Sequence, residues 1–357
     1  MKKALALARR GLGRTSPNPM VGALIVKNGK VIGQGYHRSF GGPHAEVNAI
    51  NNAKSNINGA TLYVTLEPCC HKGKKTPPCL DMLLKYNWKM VVVGTLDPNP
   101  KVNGKSIAIL KKKGIETKVG VLKGECRGLN EAYFKYIQTG MPFVTVKFAQ
   151  TLDGRIATAT GDSKWISSEA SLKWAHRLRS LHDAVLVGVG TVLKDDPQLT
   201  VRLVKGRNPV RIVADSKLRT PLNSKMLKEQ EVAPTVIAAT EQGDIEKMFA
   251  LSVMGVEVVT IEEDKEGMVE LKDMLKKLGE RNISSILVEG GATTITSFIR
   301  QGLADKIVAI IAPKLMGKGI ETVGDLGMRE VNRTLKLTFE KVYRKDEDVV
   351  IEAYIKK

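Results

Sequence analysis

The sequence predicts an α/β protein built as two consecutive domains. Three observations carry this. The chain has 357 residues, more than a single domain usually needs. Strand-like apolar runs alternate with helical patterns in both halves. Gly140-Met141-Pro142 breaks a helical stretch just before a new strand, which places a boundary near residue 143 and gives domains 1–142 and 143–357.

The elements of the first half follow in order. Lys2 to Gly11 reads as an amphipathic helix. Arg9 and Arg10 interrupt its apolar stretch and no small-residue cleavage site follows, so it does not read as a signal peptide. Val21 to Val26 and Val31 to Tyr36 read as strands around the turn Lys27-Asn28-Gly29-Lys30, a hairpin signal. His44 to Asn52 is helical, Thr61 to Leu66 a strand, Pro78 to Tyr86 a helix and Lys89 to Gly94 a buried strand. Another helix and short strand lead to Val119, and Glu125 to Thr139 reads as one helix. In the second half, strands are expected at Phe143 to Gln150, Ala184 to Gly188, Val210 to Ala214 and Ser285 to Val288. Helices are expected near Ser168 to Ser180, Gly267 to Leu278 and Ala292 to Gln301. Strand-like runs at Leu335 to Tyr343 and Val349 to Ile355 close the chain.

The hydrophobic fraction, 43%, lets each half bury a core. No run of about eighteen apolar residues occurs, so no membrane span is expected and the cytoplasm is the default location. The net charge of +19 suits an anionic partner, whether nucleic acid or phosphorylated small molecules. The lysines are spread along the chain and aromatics make up only 5%, with no arginine-rich tail or stacking platform, so charge by itself favours nucleic acid weakly. Four cysteines in a chain this long do not make a disulfide scaffold. Three lie between Cys69 and Cys79, and Cys126 stands alone; such clustering points to metal or catalysis.

The first chemical constellation begins at His44-Ala45-Glu46, directly after Gly42-Pro43. It puts a ring nitrogen and a carboxylate near one helix N-terminus. Glu67-Pro68-Cys69 ends a strand, and Cys79 opens the next helix after Pro77-Pro78. One histidine and two thiolates make three protein ligands, the pattern of a zinc that keeps a fourth position for water. Such a zinc lowers the water's pKa towards about 7, and Glu46, not a ligand, is placed to move protons. A structural zinc would need a fourth ligand, which Cys70 or His71 could supply.

The ordered combination of H-A-E and P-C…C resembles the zinc-dependent cytidine deaminase superfamily, whose signature is H-x-E followed by P-C-x-x-C. Nine residues separate Cys69 from Cys79 here instead of two. That long loop, with Thr76-Pro77-Pro78-Cys79, is similar to one branch, the bifunctional deaminase–reductases of riboflavin biosynthesis. Other phrases match that branch: Thr15-Ser16-Pro17-Asn18-Pro19 with Val21-Gly22, Gly35 to Glu46, and Asp97-Pro98-Asn99-Pro100. The resemblance implies that His44, Cys69 and Cys79 bind zinc, that Glu46 is the proton donor, and that Asn18 contacts the base. Cys70 and His71 become bystanders, and His37 a structural or substrate-edge residue. Lys72, Lys74, Lys75 and Lys101 are either phosphate contacts or a solvated charged loop.

Residues 143 to 357 carry a second constellation. Val146 to Ala157 is a strand running into the turn Asp153-Gly154; Gly161 to Ile166 and the polar turn Asp195 to Arg202 follow. Leu287 to Thr294 is strand, glycine turn and helix, a place where backbone N–H groups can meet a phosphate. A Gly-Gly turn of this kind also serves simple packing, and the sequence holds no G-x-G-x-x-G fingerprint. In order, these segments resemble the reductase half of the same family, similar in fold to dihydrofolate reductase and dependent on NADPH. The expected architecture is thus a cytidine-deaminase-like α/β/α layered domain followed by a dihydrofolate-reductase-like α/β domain. The resemblance implies nucleotide contacts at Ala149, Trp165, Thr191, Asp195, Ser216, Gly291, Ala292, Thr293, Thr294, Ile295, Thr296 and Ser297. It implies substrate contacts at Ser163, Arg179, Leu199, Arg202 and Glu289. Arginine forks at 179 and 202 suit a phosphate, though each also suits an ordinary surface. Asp153 is either a turn residue or an active-site carboxylate.

The implied activity is deamination of a diaminopyrimidinone bearing a ribosylamino 5′-phosphate, then NADPH reduction of the ribosyl chain. A homo-oligomer and the absence of nucleic-acid and membrane partners are implied with it. The competing readings are a nucleic-acid deaminase of the tRNA adenosine type with a fused basic domain, and a zinc-stabilised binding protein.

Overall fold

The computed structural model describes residues 1–71 and 76–356. Lys72, Lys74 and Lys75, raised above as phosphate contacts, lie outside the described residues. The chain divides into two compact units, Met1–Met141 and Pro142–Lys357.

The first unit runs α1 (Lys2–Ala8), β1 (Gly22–Lys27), β2 (Lys30–Tyr36), α2 (Ala45–Asn51), β3 (Thr61–Leu66), α3 (Cys79–Leu83), β4 (Met90–Thr95), α4 (Lys105–Lys112), β5 (Glu116–Val119), α5 (Lys123–Leu129) and α6 (Glu131–Thr139). Its sheet has the order β2-β1-β3-β4-β5 among the described residues. β1 pairs antiparallel with β2 and β3, while β3, β4 and β5 are parallel. Asn28 and Gly29, both at positive φ, form the two-residue turn that a right-twisted hairpin prefers. Ile25, Leu62, Val64, Val91 and Val93 form the centre of the core, with Leu83, Leu110 and Phe134 packed against them. The sheet's two parallel connections bring the C-terminal ends of β3 and β4 to one edge, where the loops carrying chemistry emerge.

Two readings of this half change. The stretch Glu125 to Thr139 is two helices, broken at Asn130, whose backbone (φ −118°, ψ 27°) leaves the helical region. The helix expected from Pro78 to Tyr86 ends at Leu83, whose carbonyl accepts a hydrogen bond from the Trp88 indole N–H at 2.8 Å.

The second unit contains β6 (Phe143–Thr151), β7 (Arg155–Thr158), α7 (Glu169–Leu181), β8 (Ala184–Gly188), α8 (Val189–Asp195), β9 (Val210–Ala214), β10 (Thr235–Ala239), α9 (Ile245–Val253), β11 (Glu257–Thr260), α10 (Leu271–Glu280), β12 (Ser285–Gly290), α11 (Ala292–Arg300), β13 (Lys306–Ala312), β14 (Gly319–Glu321), β15 (Leu337–Lys345) and β16 (Asp348–Ile355). The large sheet has the order β11-β10-β9-β8-β12-β6-β13-β16-β15 among the described residues. It is parallel from β11 to β13, and the β15–β16 hairpin adds antiparallel to β13. Strands buried on both faces read as continuous apolar runs, and Ala184–Gly188 is buried throughout. β7 and β14 form a small separate ribbon.

The helix expected from Gly267 begins only at Leu271. The Asp264 carboxylate accepts from the amides of Glu266 and Met268, which folds 264–268 into a turn. Glu270 then caps the helix by accepting from Asp273 N–H at 2.5 Å. Among the described residues, no helix is long and apolar enough to cross a membrane.

Candidate active sites

In the first unit, His44 is the N-cap of α2, Cys69 follows β3, and Cys79 opens α3. His44 Nδ1 stands 3.1 Å from Cys79 Sγ and 3.5 Å from Cys69 Sγ. All three donor atoms lie within 4.8 Å of one another. Pro68 carries the chain off the strand, and the amide of Leu80 donates back to the Cys69 carbonyl at 3.1 Å, which ties α3 to the strand end. The Cys79 amide donates to Cys69 Sγ at 3.3 Å. Val102 is fully buried against both thiols. One imidazole and two thiols in a buried cluster are a donor set that fits zinc. His44 Nε2 lies 3.3 Å from Thr76 Oγ1, so Thr76 orients the ring while Nδ1 faces the thiols.

Glu46 sits in the first turn of α2 and is 3% exposed. Burial pushes its carboxyl above the ordinary range, with the His44 charge pulling the other way. A carboxyl buried in this way favours its protonated form more than an exposed one does. Cys70 turns away, its Sγ lying 3.7 Å from the Lys101 carbonyl. Asn18 reaches His37 Nε2 at 3.4 Å, and the His37 ring meets His44 edge-on with centroids 5.1 Å apart.

In the second unit, a cavity of about 690 Å³ opens along the ends of β6, β8, β9 and β12. Ala149, Ser163, Trp165, Thr191, Asp195, Ser216, Glu289, Gly291 to Ile295 and Ser297 all line it. Thr296 does not: its hydroxyl donates to the Ala292 carbonyl at 2.7 Å and accepts from the Gly324 amide at 2.8 Å. Three residues expected at the substrate lie off the cavity wall. Leu199 packs in the core with Val185 and Val213. Arg202 is exposed, and its backbone amide donates to His176 Nδ1 at 3.1 Å. The Arg179 fork is committed to Glu289, with Nε–Oε1 at 2.6 Å and Nη2–Oε2 at 2.8 Å, and Nη1 donates to the Thr200 carbonyl at 3.2 Å. Burial alone would raise the Glu289 carboxyl, but Arg179, then Lys147 and His176, hold it down at about 2.

Sequence reasoning missed Lys147. It lies on β6 inside Val146 to Ala157 and lines the cavity. Burial lowers its pKa, partly offset by Glu289. A lysine between Val146 and Phe148 on a buried strand was the available signal. Asp153 resolves as a turn residue: its carboxylate accepts from the amides of Met316 at 3.1 Å and Gly317 at 2.6 Å and from Thr151 Oγ1 at 2.6 Å.

Residues 1–95 match the cytidine and deoxycytidylate deaminase zinc-binding region. Residues 142–351 match the RibD C-terminal domain. The riboflavin biosynthesis protein RibD of Aquifex aeolicus is 50% identical over 352 residues, 98% of this chain and 96% of its own. The chain belongs to the RibD family. The solved structure of Acinetobacter baumannii RibD superposes with a TM-score of 0.89 at 36% identity, covering 100% of this chain and 98% of that one. The Thermotoga maritima diaminohydroxyphosphoribosylaminopyrimidine deaminase/5-amino-6-(5-phosphoribosylamino)uracil reductase gives 0.87 at 40% identity, covering 100% and 97%. This RibD relationship spans both units and removes the reason for reading residues 143–357 as a fused nucleic-acid domain.

Proposed function

We propose that the chain performs two consecutive steps of riboflavin biosynthesis. The first is hydrolytic deamination of 2,5-diamino-6-(5-phosphoribosylamino)pyrimidin-4-one. The second is NADPH reduction of the ribosyl side chain, giving 5-amino-6-(5-phosphoribitylamino)uracil. The observation that carries the reading is a zinc-type donor triad beside a buried carboxyl in one unit and a large cavity in the other, within one RibD chain.

His44, Cys69 and Cys79 hold zinc in the first unit. When bound, zinc supplies an acidified water as nucleophile. Glu46 would move two protons: one lost by the attacking water, delivered to the ring nitrogen, and a second from the hydroxyl so added, delivered to the departing amine. Burial favours the protonated form that Glu46 takes between these transfers. Asn18 orients the base.

In the second unit, Ala149, Trp165, Thr191, Asp195, Ser216 and the α11 N-terminal turn hold NADPH. The backbone N–H groups of Gly291 to Thr294, at the start of α11, would meet its phosphates. When bound, NADPH supplies the hydride. Ser163 and Glu289 contact the substrate chain, and Arg179 keeps Glu289 ionised and fixed. Lys147, which lines the same cavity as Glu289, would supply the proton to the heteroatom beside the carbon that takes the hydride. None of the four cysteines forms a disulfide, which suits the cytoplasm. The exposed edge strand β15, with Phe339 64% and Val342 58% exposed, suits pairing in a homo-oligomer.

The deciding experiment incubates the zinc-loaded protein with the diaminopyrimidinone phosphate and follows ammonia release and NADPH oxidation together. Ammonia without NADPH oxidation would remove the reductase half of the reading. Neither signal would remove both.

A further inference from the structure

Asn130 stands between α5 and α6, closing one helix and opening the other. Asparagine is among the preferred N-cap residues, because its side-chain oxygen accepts from the free N–H groups of the first turn. Asn130 makes no such bond. Its side chain pairs instead with a residue 110 positions earlier: the Met20 amide donates to Oδ1 at 2.7 Å, and Nδ2 donates to the Met20 carbonyl at 2.9 Å. The side-chain amide thus copies the donor–acceptor edge of a β-strand. Asn130 is 4% exposed, and both bonds are partly buried.

The strip held this way leads to the deaminase centre. Asn18 lies two residues before Met20, and its own amide donates to the Thr15 carbonyl at 2.8 Å. Asn18 Nδ2 meets His37 Nε2 at 3.4 Å. His37 Nδ1 lies 3.1 Å from the Pro43 carbonyl, which can only accept, so Nδ1 carries the proton and Nε2 accepts from Asn18. The His37 ring packs edge-on against His44. A break in a helix and a forgone cap therefore end in the placement of one amide against His37, whose ring packs on His44.

We propose that Asn130 is a positioning residue of the deaminase site, fixing the Pro17–Met20 strip and through it Asn18, without touching substrate. This rests on the deaminase function proposed above. Asn130→Asp keeps the size and the acceptor but removes the Nδ2 donor; Asn130→Ala removes both bonds. In the full-length protein, each is expected to raise the deamination KM for the diaminopyrimidinone phosphate by about tenfold, the equivalent of one lost hydrogen bond. A smaller change in kcat, unchanged zinc content and unchanged NADPH oxidation on the deaminated substrate should accompany it. Asn18→Ala/Asn130→Ala should be no worse than Asn18→Ala alone, since both act through one amide. Additive losses, zinc loss in Asn130→Asp, or unchanged KM in both single variants would overturn the proposal. If the wild-type protein releases no ammonia, the deaminase reading itself fails. The clamp is then judged on hydrogen exchange at the Met20 amide, which Asn130→Ala must accelerate; unchanged exchange overturns it.

Discussion

Two buried glutamates show how neighbours divide one kind of side chain into two roles. Glu46 has burial pushing its carboxyl up, towards the protonated form. Glu289 is also buried, but the two-pronged Arg179 contact holds it ionised, with a pKa of about 2. Environments that push carboxyls apart in this way separate proton carriers from fixed charges. Glu46→Gln is therefore expected to lower deamination by about 10²–10⁴-fold while zinc content and NADPH oxidation stay intact; loss of zinc on metal analysis would instead mark Glu46 as structural. For Glu289 the linkage has a definite sign. Its folded pKa lies below the ordinary 4.5, so its stabilising contribution is complete above that value and is lost as pH falls towards about 2. Urea unfolding followed through the second unit should show that acid slope. Glu289→Gln should reduce the slope, with Asp153, Asp273 and Glu352 still contributing to it. It should cost about 3–5 kcal/mol at neutral pH, because Arg179 is left buried without its partner.

At the scale of elements, the deaminase centre depends on how closely α2 lies on β2. A Cβ built at Gly35 would stand 2.4 Å from the Ala49 amide nitrogen and 2.5 Å from the Ala45 carbonyl oxygen, and one at Gly33 would stand 2.5 Å from the Ala49 carbonyl oxygen. Glycine at these positions lets the helix that begins with His44 and Glu46 settle directly on the strand. Gly35→Ala should lift α2, destabilise the first unit by about 1–3 kcal/mol and weaken zinc binding; a zinc titration that matches wild type would show that the close approach does not set the ligand's position. Much at this scale was legible. The Asn28-Gly29 hairpin, the strands Thr61–Leu66 and Ala184–Gly188 and the helix after Gly291 carry strong local signals. The break at Asn130 was not legible, because Glu125 to Thr139 keeps helical composition on both sides and the reason for the break lies 110 residues away at Met20. Helix α9 was missed for a related reason. Ile245, Phe249 and Val253 are 79%, 71% and 72% exposed, so its apolar residues do not mark a buried face.

Across the whole molecule, charge is divided unevenly. Residues 1–141 hold 23 Lys/Arg and 7 Asp/Glu, which is +16 of the total +19 and leaves +3 for residues 142–357. A strongly positive unit raises the encounter rate with an anionic substrate, and salt screens the effect. Deamination kcat/KM should fall roughly several-fold as ionic strength rises from about 0.05 to 0.2 M, while reduction responds less; equal salt dependence in the two assays would argue against steering by the first unit.

The chemistry-bearing stretches were readable in the chain itself because they are local and their residue types are constrained. H-A-E at a helix start and two cysteines each following proline say little singly, but in that order they have few physical uses. Their combination named the His44, Cys69 and Cys79 cluster, and glycines between a strand and a helix named a turn that lines the cavity of the second unit. Side-chain direction was decided only in three dimensions. Cys69 faces His44 while its neighbour Cys70 turns to the Lys101 carbonyl. Arg179 closes on Glu289, Leu199 enters the core, and Lys147 lines the cavity. Those outcomes depend on partners tens or hundreds of residues away, and sequence periodicity cannot specify which of several possible partners a buried polar group will meet.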